Sequence, residues 1–329
     1  MYVKSITIVD IDDDNKENII IANRFGFEIK VFFNYFNGQL NDETDSISYA
    51  GIHKKVVGDL NDDKKLDIIA IGELTNNITL LYNTGNGTFN DKIMISTNSI
   101  VADIDLVDMN EDNQLDIVYT NLAAVVVLFN TDDHTFSHET LISIVKSANL
   151  FKVININDDN MSDSIVTDFG RKMSIILNHG NKSFIHYRFY STEYIATYIF
   201  TADIDNDNKI DVICGYQDST FGIYFNKGNG FIDPPTIYIA EFKYEVLFID
   251  DLNNDKKPDF ILAQSKDYKI SIYYNVDNGM FPNVRIFPAN GDPFVLKPID
   301  INGDGKMEII VSCYDGKAYA YIGLLTILC

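Results

Sequence analysis

Seven acidic loops in register constrain this chain more than any other feature. Asp59, Asn61, Asp63 and Asp67 form one copy, and Asp108, Asn110, Asp112 and Asp116 the next. Asp203, Asp205, Asp207 and Asp211 repeat the pattern, as do Asp251, Asn253, Asp255 and Asp259. Asp300, Asn302, Asp304 and Glu308 form the last copy. Two weaker copies complete the set: Asp10, Asp12, Asp14 and Asn18, and Asn155, Asn157, Asp159 and Asp163. First positions fall at 10, 59, 108, 155, 203, 251 and 300, spaced by 47 to 49 residues. A lone acidic cluster is usually a solvated loop, but chance does not keep seven copies in register.

Each loop sits between short apolar runs. Ile6–Val9 precedes the first loop, and Ile68–Ile71 follows the second. A third run, such as Ile78–Tyr82 or Val125–Phe129, leads to a turn rich in Asn and Gly and then a fourth run. Runs of four to seven residues rich in Ile, Val, Tyr and Phe between turn signals read as strands. Four strands per repeat, seven times over, give an all-β, seven-bladed β-propeller of four-stranded antiparallel blades. A linear β-solenoid has shorter repeats. A WD-type propeller is excluded because the chain has no Trp. One domain over 1–329 is expected, with blades near 1–50, 51–98, 99–145, 146–194, 195–241, 242–290 and 291–329.

Composition narrows the partners. Asp and Glu outnumber Lys and Arg 48 to 26, and a net charge of −22 disfavours nucleic acid and anionic membrane surfaces. The longest apolar run, Leu122 to Phe129, is too short to span a bilayer. Three cysteines at wide spacing, Cys214, Cys313 and Cys329, build no disulfide framework and read as buried strand residues. No signal peptide is visible at Met1–Ile6.

The loop pattern places oxygen-bearing side chains at positions 1, 3, 5 and 9. Calcium takes six to eight oxygens at about 2.3–2.6 Å, and alternate side chains of a tight loop supply them, with a backbone carbonyl at position 7. Magnesium demands a stricter octahedron, and zinc prefers Cys or His. The EF-hand reading fails, because position 12 is Ile21 in the first repeat and Ala70 in the second, inside strands. Up to seven Ca2+ are expected. Five belong to loops with at least three carboxylates including position 9, while the first and fourth loops are weaker. Position 6 calls for a left-handed backbone, which Gly305 and the Asn at 15, 113, 160 and 208 accept more easily than Lys64 and Lys256.

These loops, with turns such as Gly85-Asn86-Gly87-Thr88-Phe89, resemble FG-GAP/VCBS repeats. The resemblance spans essentially the whole chain and implies a calcium-binding propeller, similar to that of integrin α subunits. It places the calcium loop between the first and second strands of each blade, with ligands at positions 1, 3, 5 and 9 above. Phe25-Gly26 is an isolated Phe-Gly pair, and no Gly-Ala-Pro follows it.

The expected function is a non-enzymatic, extracellular or cell-surface interaction module. Its protein or glycan ligand is expected on the face opposite the acidic loops, built from second-to-third turns and blade links. Arg24-Phe25, Gly170-Arg171, Tyr194, Tyr216-Gln217-Asp218 and Phe242-Lys243-Tyr244 are the binding candidates there. Phe89, Phe136, Phe184, Phe231 and Phe281 recur with the repeat and are expected to pack one blade on the next. A carbohydrate-binding propeller and an accessory domain of a polysaccharide-active enzyme are the alternatives. No GxSxG, HExxH or P-loop occurs, and the five His share no metal spacing. Closure is expected to leave the seventh blade with three regular strands, or a poor fourth from Leu324–Cys329, with Met1–Val9 serving as the first strand of blade one.

Overall fold

The computed structural model describes residues 3–23, 28–36, 39–40, 46–48, 52–72, 75–85, 87–131, 135–137, 139–144, 147–216, 218–240, 244, 246–264, 266–300, 305–313 and 318–321. Every regular element among them is a strand. In each repeat the apolar runs pair antiparallel in chain order, with the acidic loop linking the first strand to the second. In the second repeat these strands are Ile52–Gly58, Asp67–Gly72, Asn77–Asn83 and Phe89–Ser96.

The second and third strands carry near-continuous apolar runs because both their faces are covered. Asp116–Asn121 and Ala124–Leu128 are buried at every residue. The fourth strands form the outer edge, where Asn283–Pro288 alternates between exposed and half-buried residues. First strands abut one another in order around the axis: Val3–Val9, Ile52–Gly58, Val101–Val107, Ala148–Ile154, Ala196–Ala202, Val246–Asp250 and Pro293–Ile299. Pro293–Ile299 then meets Val3–Val9. Six first strands carry a register shift near their start, a bulge that adds twist where the strands crowd the axis.

The core is a series of apolar seams between adjacent sheets. Leu60, Ile69 and Leu80 pack on Ile104, Ile117 and Val126, for example. Ile19 and Ile21 of the first sheet pack on Ile310 of the last. Phe89, Phe136, Phe184 and Phe281 join these seams as expected. Phe231 does not: it is exposed under the Arg188 guanidinium, and its neighbour Ile232 enters the seam instead.

The expectation of seven blades is corrected: among the described residues there are six four-stranded blades. The last repeat forms a three-stranded sheet from Pro293–Ile299, Glu308–Cys313 and Ala318–Tyr321. Leu324–Cys329 lies outside the described residues. Val3–Val9 pairs within the first sheet, so the N-terminal strand does not complete the last one. Cys214 and Cys313 are buried strand residues, as expected. Among the described residues no helix is long and apolar enough to cross a membrane.

Candidate functional site

The acidic loops share one backbone course. Positions 4 and 6 are left-handed in each of the first six loops: Asp13 and Asn15, Asp62 and Lys64, Glu111 and Asn113, Asp158 and Asn160, Asn206 and Asn208, Asn254 and Lys256. Lys64 and Lys256 adopt φ 66° despite their side chains, and Gly305 stands at 80°. In the first loop this course brings the carboxylates of positions 1, 3 and 5 together.

Position 1 is the organiser. Its carboxylate accepts the position-5 N–H, at 3.1 Å for Asp14 to Asp10, 3.2 Å for Asp63 to Asp59 and 3.1 Å for Asp207 to Asp203. Its second oxygen accepts the position-6 N–H, at 2.7 Å in the second, third and sixth loops and 2.7 Å from Gly305 to Asp300. Position 5 in turn accepts the position-7 N–H at 2.9–3.0 Å. In the fourth loop Asn155 offers one oxygen, which takes the Asp159 N–H.

Two loops bring three carboxylates within 4.8 Å of one another: Asp10, Asp12 and Asp14, and Asp203, Asp205 and Asp211. The first of these is a loop that the residue pattern ranked as weaker. Asp12 Oδ1 is buried with no hydrogen-bond partner. Burial, then the neighbouring Asp14 and Asp10 charges, raise the Asp12 carboxyl above its usual range. Asp205 is raised by burial and by Asp207 and Asp203. A hard divalent cation is the partner that such convergent, mutually repelling oxygens fit. The loops also supply their own cations. The position-7 ammonium meets the position-5 carboxylate at 2.8 Å for Lys16–Asp14, 3.3 Å for Lys65–Asp63 and 2.6 Å for Lys209–Asp207. Lys257 turns instead to Asp277 at 3.1 Å. A metal ion would compete with these lysines.

Position 9 has a second job that the pattern did not announce. Asp67, Asp116, Asp163, Asp211 and Asp259 are fully buried. One oxygen of each accepts the position-2 N–H of its own loop, at 2.9 Å from Met109 to Asp116 and 2.9 Å from Ile204 to Asp211. The other accepts the N–H of an asparagine at or just past the end of the third strand: Asn83, Asn130, Asn178, Asn226 or Asn275, at 2.8–2.9 Å. That asparagine then reaches across the seam. Asn83, Asn130, Asn178, Asn226 and Asn275 donate Nδ2 to the position-2 carbonyls of Ile11, Leu60, Met109, Ile156 and Ile204 in the preceding repeat. The distances are 2.8–3.0 Å. The bonds link end to end, forming a buried polar belt from the first loop to the sixth. Asn18 begins it, accepting the Ile11 N–H at 2.9 Å. Burial pushes the carboxyls of Asp67, Asp116, Asp163 and Asp211 up to about 6 and that of Asp259 to about 7, against the N–H donors that hold them down. The sequence signal for the belt is an Asn recurring 14 to 16 residues after position 9.

In the last loop Asp300 and Glu308 are described, with Glu308 buried, and Asn302 and Asp304 lie outside the described residues. On the opposite face, Tyr216 and Tyr244 are buried, with Tyr244 Oη accepting the Tyr216 N–H at 3.0 Å, so neither is a surface contact. Arg171 is exposed, its guanidinium 5.7 Å from the Tyr194 ring. Arg24, Phe25, Gln217, Phe242 and Lys243 lie outside the described residues, as do His134 and His138. A cavity of about 580 Å³ opens on this face, lined by Asn76, Ser99, Ile100 and Leu122.

An FG-GAP-like repeat model matches residues 59–119 and 251–311. No curated protein matches the chain by sequence. Among solved structures, an Agrocybe aegerita lectin that recognises non-reducing terminal N-acetylglucosamine is 18% identical, with TM-score 0.68 over 87% of this chain and 80% of the lectin. BBS1N, solved in complex with ARL6DN, is 10% identical, with TM-score 0.70 over 97% of this chain and 92% of that one. Saccharomyces cerevisiae Sqt1 is 10% identical, with TM-score 0.63 over 92% and 80%. At these identities the shared property is the β-propeller fold.

Proposed function

From FG-GAP-like repeats on a β-propeller, we propose that this chain is a non-enzymatic, extracellular calcium-binding propeller that presents a partner-binding face opposite its metal loops. In this reading it is one domain over 1–329. Calcium acts as a staple. The observation that carries the reading is the convergence of Asp203, Asp205 and Asp211, and of Asp10, Asp12 and Asp14, with Asp12 Oδ1 buried and unpartnered. Positions 1, 3 and 5 supply the oxygens in the first loop, and positions 1, 3 and 9 in the fifth, where Asp211 belongs to the cluster and also holds the loop to the belt. Each bound ion would offset part of the −22 charge that opposes compaction.

A ligand bound only by the folded state stabilises it by about 2.7 kcal/mol per site at a hundredfold excess over Kd. The melting temperature is therefore expected to rise in millimolar calcium and to fall in EGTA. An unchanged melting temperature, after verified removal of metal, overturns the staple role and the extracellular assignment that rests on it.

A second reading, glycan binding, is favoured by the cavity at Asn76, Ser99, Ile100 and Leu122. Ile100 and Leu122 give the cavity apolar walls, with the polar Asn76 and Ser99 beside them. The similar lectin fold supports it. A glycan array run with and without calcium separates a sugar ligand from a protein one.

A further inference from the structure

The repeats give several versions of each position, and one version departs from the rest. Four residues before loop position 1, the first strands carry Ile104, Phe151, Ile199, Leu247 and Leu296, each buried between sheets. The second repeat places Lys55 there, 3% exposed. Its Nζ donates to Thr7 Oγ1 at 2.5 Å, and no carboxylate faces it among the described residues. Neighbouring Lys54 differs, since it pairs with Asp103. The charge that reaches Lys55 is another cation, Lys297 of Pro293–Ile299, which lies beside Val3–Val9. The Lys297 ammonium rests 4.3 Å from the Phe248 ring centroid, with Asp250 and Glu17 as its acidic neighbours and Lys152 adding to the positive field.

Stability alone does not explain this. A buried ammonium with one hydroxyl partner costs several kcal/mol, whereas an isoleucine or leucine at the same position contributes favourably, as in the sister repeats. Departures from a pattern that the rest of the chain obeys concentrate at functional sites.

We propose that Lys55, Thr7 and Lys297 form a binding site for a small oxyanion where the first, second and last sheets meet near the propeller axis. The ammonium of Lys55 has three N–H donors and gives one to Thr7. Thr7 Oγ1 accepts that bond, so its own proton remains to donate to an anion. Lys297 supplies a second positive charge from the other side of the Thr7 strand. Burial and Lys297 lower the free Lys55 ammonium to about 7, and a bound anion would restore its proton. This site uses none of the metal-loop residues, so it stands or falls apart from the calcium reading.

The test is titration of metal-free protein with inorganic phosphate, sulfate and acetate at constant ionic strength, read by calorimetry and by melting temperature. Wild type is expected to bind one of these saturably, and the preferred anion separates a phosphoryl or sulfuryl group from a carboxylate. Lys55→Leu is expected to weaken that binding about tenfold or more and to melt no lower than wild type in chloride. Thr7→Val, which keeps the lysine, is expected to weaken binding to a smaller degree. Absence of saturable binding by wild type overturns the proposal, as does undiminished binding by Lys55→Leu. A Lys55→Leu chain that melts lower in chloride makes the lysine a structural residue and overturns it equally.

Discussion

The same motif puts aspartates in two unlike places. Asp203, Asp205 and Asp207 sit at the solvent rim of their loop and accept N–H groups from within that loop. Asp211, four residues further, is buried beneath them and holds the Ile204 and Asn226 N–H groups, the second of them 15 residues away in sequence. Rim carboxylates organise a loop whose charge remains available to a cation. Belt carboxylates satisfy buried backbone donors that water cannot reach, so their role persists without metal. Residue type therefore does not predict which job an aspartate does; burial and the identity of its donors do.

Asp116→Ala should draw the sharpest line between the two places. It orphans the buried N–H groups of Met109 and Asn130, each worth about 1–3 kcal/mol. Metal-free protein is expected to lose about 2–5 kcal/mol in urea unfolding. Unchanged metal-free stability would show that position 9 matters only as a metal ligand, and the comparison would collapse.

Asn130→Ala probes the belt between repeats rather than within one. The substitution removes the Nδ2 bonds to the Leu60 and Leu115 carbonyls and leaves Asp116 in place. A loss of about 1–2 kcal/mol is expected, with Asp116→Ala and Asn130→Ala less than additive because they share the Asn130 backbone. Full additivity would mean that the belt is a set of independent bonds.

The smallest effect should come from the rim. Asp205→Ala in chelator is expected to change stability by no more than about 0.5 kcal/mol, since its side chain is half-exposed and crowded by Asp203 and Asp207. The same variant should lose one site in a calcium titration. A large destabilisation in chelator would place the rim and the belt in a single structural role.

The sequence by itself determined the strands, the loops and their order. Alternating apolar runs and turn residues act locally, and repetition multiplies a weak signal until it is unambiguous. Position 6 as a left-handed site was legible because Asn and Gly mark it in five of seven loops, and Lys64 and Lys256 follow the backbone their neighbours impose. Tertiary structure alone decided the rest. The partner of Asn130 Nδ2 lies 70 residues away, across a seam that exists only once two sheets pack. Ile232 rather than the expected Phe231 enters the seam, and Tyr216 and Tyr244 are buried by neighbours from another repeat. The completeness of each sheet also belongs to the fold, as the last repeat shows with its three strands. Nothing in the sequence around Lys55 marks it as buried. Only the meeting of three sheets around its ammonium makes it a buried charge, because burial is a property of what surrounds a residue and not of the residue.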